Sequence, residues 1–172
     1  MPNHVFNEVR LHGVNLDTVK PLIMDKTGQI SFAVLVPLPI NFWPGSVGSQ
    51  HEKAFPGTHL DAATKSWGTK WNCYGDPDAV QDGDDTLITF KTAWAPPRGW
   101  IVALFNTLEC KITSKWLDEG RIDAFSETYV MENKRFCGPS WETEVIHEKS
   151  DEHRRLHKCL WGVEAHEDEE SE

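Results

Sequence analysis

No stretch of the 172-residue chain approaches 18 consecutive apolar residues, so nothing in it reads as a transmembrane helix and no membrane partner is expected. The opening residues, MPNHVFNEVR, lack an apolar core and acquire charge early. They do not read as a secretory signal, and the expected location is cytoplasmic. Cysteine is sparse and unclustered. Cys73, Cys110, Cys137 and Cys159 form no CxxC pair, which excludes the common zinc-finger and thioredoxin-like spacings. They are read as reduced, structural thiols, as a reducing compartment favours. GxSxG, HExxH, the P-loop and the dinucleotide fingerprint are all missing. No catalytic residue is assigned, no cofactor is expected, and the reading favours a protein that is not an enzyme.

Positive charge is also scarce. The 17 Lys+Arg face 27 Asp+Glu, a formal net charge of −10. That argues against loose, charge-driven binding to nucleic acid. The excess is uneven. Residues 164–172 hold six of the acids and no Lys or Arg, which leaves 21 acids and a net −4 in residues 1–163. The folded part is therefore only mildly acidic, and residues 163–172 read as a disordered acidic tail. Tyrosine is rare at two residues, whereas tryptophan and phenylalanine supply eight each.

Along the chain, residues 5–11 alternate as a strand, with Val5, Asn7, Val9 and Leu11 on one side. A short helix capped by Asn15 or Asp17 follows. The nearly all-apolar run 30–36 reads as a second, buried strand. Residues 37–57 lose periodicity among prolines and glycines and read as a loop, anchored by Phe42, Trp43 and Phe55. Residues 58–65 read as a short helix. The acidic stretch GDPDAVQDGDD reads as a solvated hairpin turn, because it does not satisfy the calcium-loop pattern. Strands are expected at 86–94, 112–117 and 122–131, with a weaker one around Trp141, Thr143 and Val145. Between the first two, residues 98–108 form an amphipathic helix behind Pro96-Pro97. Residues 151–161 form a last helix with Ser150 as N-cap.

This order describes an α+β protein: a mainly antiparallel sheet with helices on one face and a ferredoxin-like, split βαβ core. Three segments are expected. Residues 1–57 hold the N-terminal strands, helix and loop, residues 58–162 the ferredoxin-like core, and residues 163–172 the tail.

Two motifs carry possible binding chemistry. In Trp67-Gly68-Thr69-Lys70-Trp71-Asn72, Lys70 and Asn72 lie among tryptophans, a set able to make cation–π contacts, hold an anion or stack a base. The same residues also read as an aromatic core cluster of Trp67, Trp71 and Trp94 with Lys70 reaching to water. Trp94, in Thr92-Ala93-Trp94-x-Pro96-Pro97, ends a strand at an enforced corner. The binding candidates are therefore Trp67, Lys70, Trp71, Asn72 and Trp94. His153 and His157, four apart on one helical face, are weak metal candidates. Arg154 and Arg155 between them disfavour a cation, so EHRRLHK reads as a solvated helix face.

WGTKWN and FxTAWxPP occur here with Met1-Pro2-Asn3-His4-Val5, Asn7, Gly13, Pro37-Leu38-Pro39 and Asp118-Glu119-Gly120. In that order they resemble the YubB-like proteins of plasmids and phages, over residues 1 to about 125. The resemblance implies a ferredoxin-like domain, without an Fe–S cluster, and an origin in a mobile element. It implies no activity. Residues beyond about 140 depart from the pattern. The functional expectation is a non-catalytic accessory protein that binds a host or element-encoded protein. The alternative is a single-stranded nucleic-acid binder, or a nucleic-acid mimic directed against a host defence.

Overall fold

The computed structural model describes residues 3–38, 53, 59–132, 135–137 and 143–162. Residues 39–52 and 54–57 of the loop expected at 37–57, its anchors Phe42, Trp43 and Phe55, and the tail lie outside the described residues.

Strand β1 (His4–Leu11) alternates as the sequence demands and runs through the middle of the sheet. It pairs antiparallel with β3 (Asp85–Ala93) on one side and β4 (Ile112–Asp118) on the other. β2 (Tyr74–Asp82) flanks β3, and β5 (Ala124–Glu132) flanks β4, with β6 (Arg135–Cys137) and β7 (Glu144–Ile146) pairing with β5. The strand path β2-β3-β1-β4 carries two interleaved βαβ units. In each, two strands joined through a helix are separated by a strand of the other unit, which is the split βαβ arrangement. β1 of the N-terminal segment therefore runs between β3 and β4 in this strand path.

Four helices cover the face carrying Val9 and Leu11: α1 (Leu16–Ile23), α2 (Phe32–Leu35), α3 (His59–Trp67) and α4 (Arg98–Leu108). α4 buries Trp100, Ile101, Leu104 and Phe105 there. Each such side chain removed from water contributes about 1.5–3 kcal/mol.

The expectation of helices on one face holds for these four. α5 (Asp151–Trp161) lies on the other face, where Leu156 and Leu160 pack on Phe6, Leu117 and Ala124. Its charges are in part a solvated face, with Asp151, Arg154 and Lys158 exposed, and in part directed at the sheet. Arg155 makes a paired contact to the buried Glu8 at 2.6 and 3.1 Å, and Lys115 reaches Glu152 at 2.8 Å. The helix is held by ion pairs because the sheet surface under it is itself charged. Its N-terminus is capped as expected, and its C-terminus is capped as well. Ser150 Oγ accepts from His153 N, and Gly162 takes the left-handed C-terminal position at φ +74.

Two further expectations are corrected. Residues 30–36 do not form a strand. Ile30 makes one bridge to Met24, and the chain then turns into α2. Phe32 is fully buried, with ring centres 5.7 Å from Trp67, 5.4 Å from Phe90 and 4.7 Å from Trp100. The acidic stretch is not all turn. Residues 74–82 are β2, and only the link through Gly83 is the hairpin turn. β2 ends the strand path and carries a register shift between Tyr74 and Asp78, which is where an edge strand tolerates Pro77. One of its acids, Asp82, contacts Arg10 at 2.7 Å, and Arg10 also reaches Asp85 of β3 at 3.3 Å.

Candidate functional site

Because β1 is antiparallel to both neighbours, its first residues lie beside the last residues of β3 and β4. His4 stands opposite Ala93, and Val5 opposite Asp118. The backbone continues this joint: Trp94 N donates to Asn3 O, and Glu119 N donates to His4 O, both at 3.0 Å. Asp118 Oδ1 accepts from Asn3 Nδ2 at 3.1 Å and from Gly120 N at 2.7 Å. Asn3-His4, TAW and Asp118-Glu119-Gly120, far apart in sequence, thus meet at one end of the sheet.

WGTKWN joins them through a close backbone approach. Gly68 follows α3 at φ +89, where a Cβ would stand 3.0 Å from Arg98 N and 3.2 Å from Gly99 N. Gly99 is hemmed in reciprocally by the Ser66 carbonyl. Thr69 Oγ1 then donates to Ala93 O at 2.8 Å. The two tryptophan motifs are therefore halves of one joint, and glycine is required on both sides of it.

The five binding candidates separate into two groups. Trp67 is core: it is buried, and its Nε1 donates to Val36 O at 2.8 Å. Asn72 is a bracket for α2, accepting from Phe32 N at 2.8 Å and donating to Ser31 Oγ at 3.0 Å. Lys70, Trp71 and Trp94 come together at the surface. Lys70 Nζ lies 4.1 Å from the Trp94 ring centre and 5.1 Å from that of Trp71. Trp94 is 53% exposed and Trp71 37%. Trp94 also holds φ +71, a conformation an L-residue adopts at a cost of about 1–2 kcal/mol.

Sequence reasoning did not single out Tyr74. Its ring meets Trp71 edge-on at 6.3 Å and His4 at 5.6 Å. Its hydroxyl donates to Thr92 O at 2.9 Å. That hydroxyl has one proton, so His4 Nδ1, 2.7 Å away, carries the proton of their mutual bond. Burial, then the charge of Glu119, push the phenol up to about 12, so it is neutral at physiological pH. The only available signal was an aromatic residue two positions after the motif. The set offers flat π-surfaces, one cation and hydrogen-bonding groups, but no nucleophile paired with a base.

His153 and His157 share a helical face, with ring centres 6.2 Å apart. His153 is buried, and its Nε2 donates to Ile122 O at 2.7 Å. Among the described residues no group of three His, Cys, Asp or Glu is placed to hold a metal ion. Cys73, Cys110 and Cys159 are free thiols. Cys73 donates to Ile30 O at 3.1 Å, and burial pushes its thiol up to about 12, which makes it inert. No helix among the described residues is long and apolar enough to cross a membrane.

Residues 67–160 match a family described as the ferredoxin-like domain in Api92-like protein. The chain belongs to this family. The matched region, more than half of the chain, begins at Trp67 and ends in α5, so it contains Lys70, Trp71, Tyr74 and Trp94 together with Asp118 and Glu119. No curated protein and no solved structure matches the chain.

Proposed function

We propose that the protein is a non-catalytic binding module, and that it engages a protein partner through the Lys70–Trp71–Trp94 surface. One observation carries this reading: two exposed indoles with an ammonium between them, one held on unfavourable backbone, at the meeting point of the chain's most distinctive motifs. Tryptophan is enriched among residues that dominate protein interfaces, because it covers much area with few rotatable bonds. Resemblance to YubB-like proteins adds the setting, an accessory protein of a phage or plasmid acting on a host or element-encoded protein. The mild acidity of residues 1–163 favours a protein over a polyanion.

The experiment compares the full chain with its Trp71→Ala/Trp94→Ala variant as bait in bacterial lysate at physiological salt. A protein retained by the wild type and lost from the equally folded variant is expected. Equal recovery by both baits overturns the reading. Fluorescence anisotropy with single-stranded DNA and RNA is run in parallel, since aromatic pairs beside a lysine also stack bases. Tight oligonucleotide binding abolished by the same variant would replace the protein partner with a nucleic acid.

A further inference from the structure

A cleft of about 290 Å³ opens between the end of β4, the turn that follows it and α5. It lies on the α5 side of the sheet, and Glu119, whose charge also reaches Tyr74, borders both it and the Lys70–Trp71–Trp94 surface. Its hydrogen-bonding groups are mostly acceptors. Asp118, Glu119 and Glu148 line it with carboxylates. Both contacts of Asp118 fall on Oδ1, so among the described residues Oδ2 has no hydrogen-bond partner. Glu119 makes no side-chain hydrogen bond or ion pair to a described residue.

His153 adds an independent observation. It lines the cleft at 4% exposure. Its Nε2 faces a carbonyl, Ile122 O, and must therefore carry the proton. The other ring nitrogen, Nδ1, is buried without a hydrogen-bond partner among the described residues. A buried polar atom left unsatisfied is destabilising, so the side chain is short of a partner.

The remaining wall is aromatic. His157 follows His153 at 6.2 Å, and Trp161 follows His157 at 6.3 Å, giving a row of rings that ends in a half-exposed indole. Among the described residues Arg121 is the one Lys or Arg lining the cleft, and its guanidinium lies 5.5 Å from the ring centre of Phe125. Three carboxylates therefore outnumber one cation.

We propose that this cleft is a binding site for a guanidinium group, carried by a small molecule or by an arginine side chain of a protein. A guanidinium is planar, permanently charged, rich in donors and stacks on aromatic faces, whereas an ammonium is a compact, strongly hydrated point charge. It meets both halves of the cleft, with its edge toward the carboxylates and its face along the His157–Trp161 row. The volume lies at the lower end of about 300–1,000 Å³ typical of ligand pockets, which suits one side-chain-sized group and not a large cofactor.

The test titrates the full chain with agmatine, with the capped peptide Gly-Arg-Gly and with its Gly-Lys-Gly counterpart, by calorimetry and by the Trp161 indole N–H resonance. Agmatine or the arginine peptide is expected to bind and to move that resonance. Glu119→Gln is expected to weaken binding about tenfold, the loss of one charge-assisted contact. Trp161→Ala, at an exposed position, is expected to weaken it without unfolding the chain. Agmatine binding without the peptide identifies a free small molecule. Peptide binding identifies a protein-borne arginine. No binding of either at millimolar concentration, equal binding of the lysine peptide, or binding indifferent to both substitutions overturns the proposal.

Discussion

Lys70 Nζ sits 4.1 Å above the ring centre of Trp94, a residue 24 positions away that belongs to a different motif. The contact is at the surface, so its net worth is about 0.5–1 kcal/mol. A double-mutant cycle with Lys70→Met and Trp94→Ala should return a coupling free energy of that size by urea denaturation. A coupling indistinguishable from zero would mean that the pair is juxtaposed without attraction, and that the lysine is held by its neighbours.

The legible part of the fold follows from periodicity. Val5, Val9 and Leu11 mark β1, and Trp100, Ile101, Leu104 and Phe105 mark α4, because each repeats over enough residues to separate a period of 2 from one of 3.6. The run from Ile30 to Val36 is too short and too uniformly apolar for that. Its conformation is decided by Asn72, forty residues on from Phe32, which takes the Phe32 N–H. β2 was hidden by its Gly, Pro and Asp, residues that an edge strand accepts and a central one rejects. Of the site, the lysine and its two exposed tryptophans stood out as a group. Sequence alone could not separate them from Trp67, because burial depends on which residues α3 and α4 bring together. His4 and Glu119 carry no local signal, since only the pairing of β1 with β3 and β4 brings them near Tyr74.

The joint between the two tryptophan motifs makes Gly99 the least replaceable residue near the site. A methyl group there would overlap the Ser66 carbonyl and crowd Trp67 C at 3.1 Å, and both are backbone atoms that cannot rotate aside. Gly99→Ala should destabilise at or above the upper end of the about 1–3 kcal/mol typical of overpacking. Gly162→Ala meets open space but a φ of +74, and should cost only about 1 kcal/mol. Thermal unfolding of the two variants separates them, and equal melting temperatures would show that α3 and α4 can move apart.

Acid should loosen the chain through carboxylates held below their ordinary values. Asp85 is lowered chiefly by the Gly13 N–H and then by Arg10 and His12. Asp25 is lowered by the Thr27 hydroxyl and by backbone N–H groups of the same turn. For Glu152, burial acts upward, but hydrogen bonds from Arg155 and Lys115 outweigh it and leave the value lowered. A carboxylate whose value is lower folded than unfolded binds its proton more readily in the unfolded chain. Its contribution is fully present above the unfolded value of about 4 and disappears as pH falls through the lower folded one. Denaturant midpoints should therefore be nearly level from pH 7 to 5 and drop below about 4. Asp85→Asn should show a shallower drop, and an unchanged slope would exclude Asp85 as a contributor.

Glu127 and Arg98 form an unequal pair, and their substitution should be unequal too. Glu127 is 3% exposed in its side chain and takes two bonds from Arg98 Nε at 2.9 and 3.1 Å, a further one from Nη2, and one from the Tyr129 hydroxyl at 3.0 Å. Arg98 is half exposed and lies 5.7 Å from the Trp116 ring centre. Removing the arginine strands a buried carboxylate, for which about 3–5 kcal/mol is typical. Removing the carboxylate charge leaves a guanidinium that already reaches water. Arg98→Ala should thus cost markedly more than Glu127→Gln, although the arginine is the more exposed of the two. Tyr129→Phe, which removes one donor to the same carboxylate, should cost about 1 kcal/mol. Equilibrium unfolding in urea orders the three variants, and a greater loss for Glu127→Gln than for Arg98→Ala would place the dominant cost on the cation.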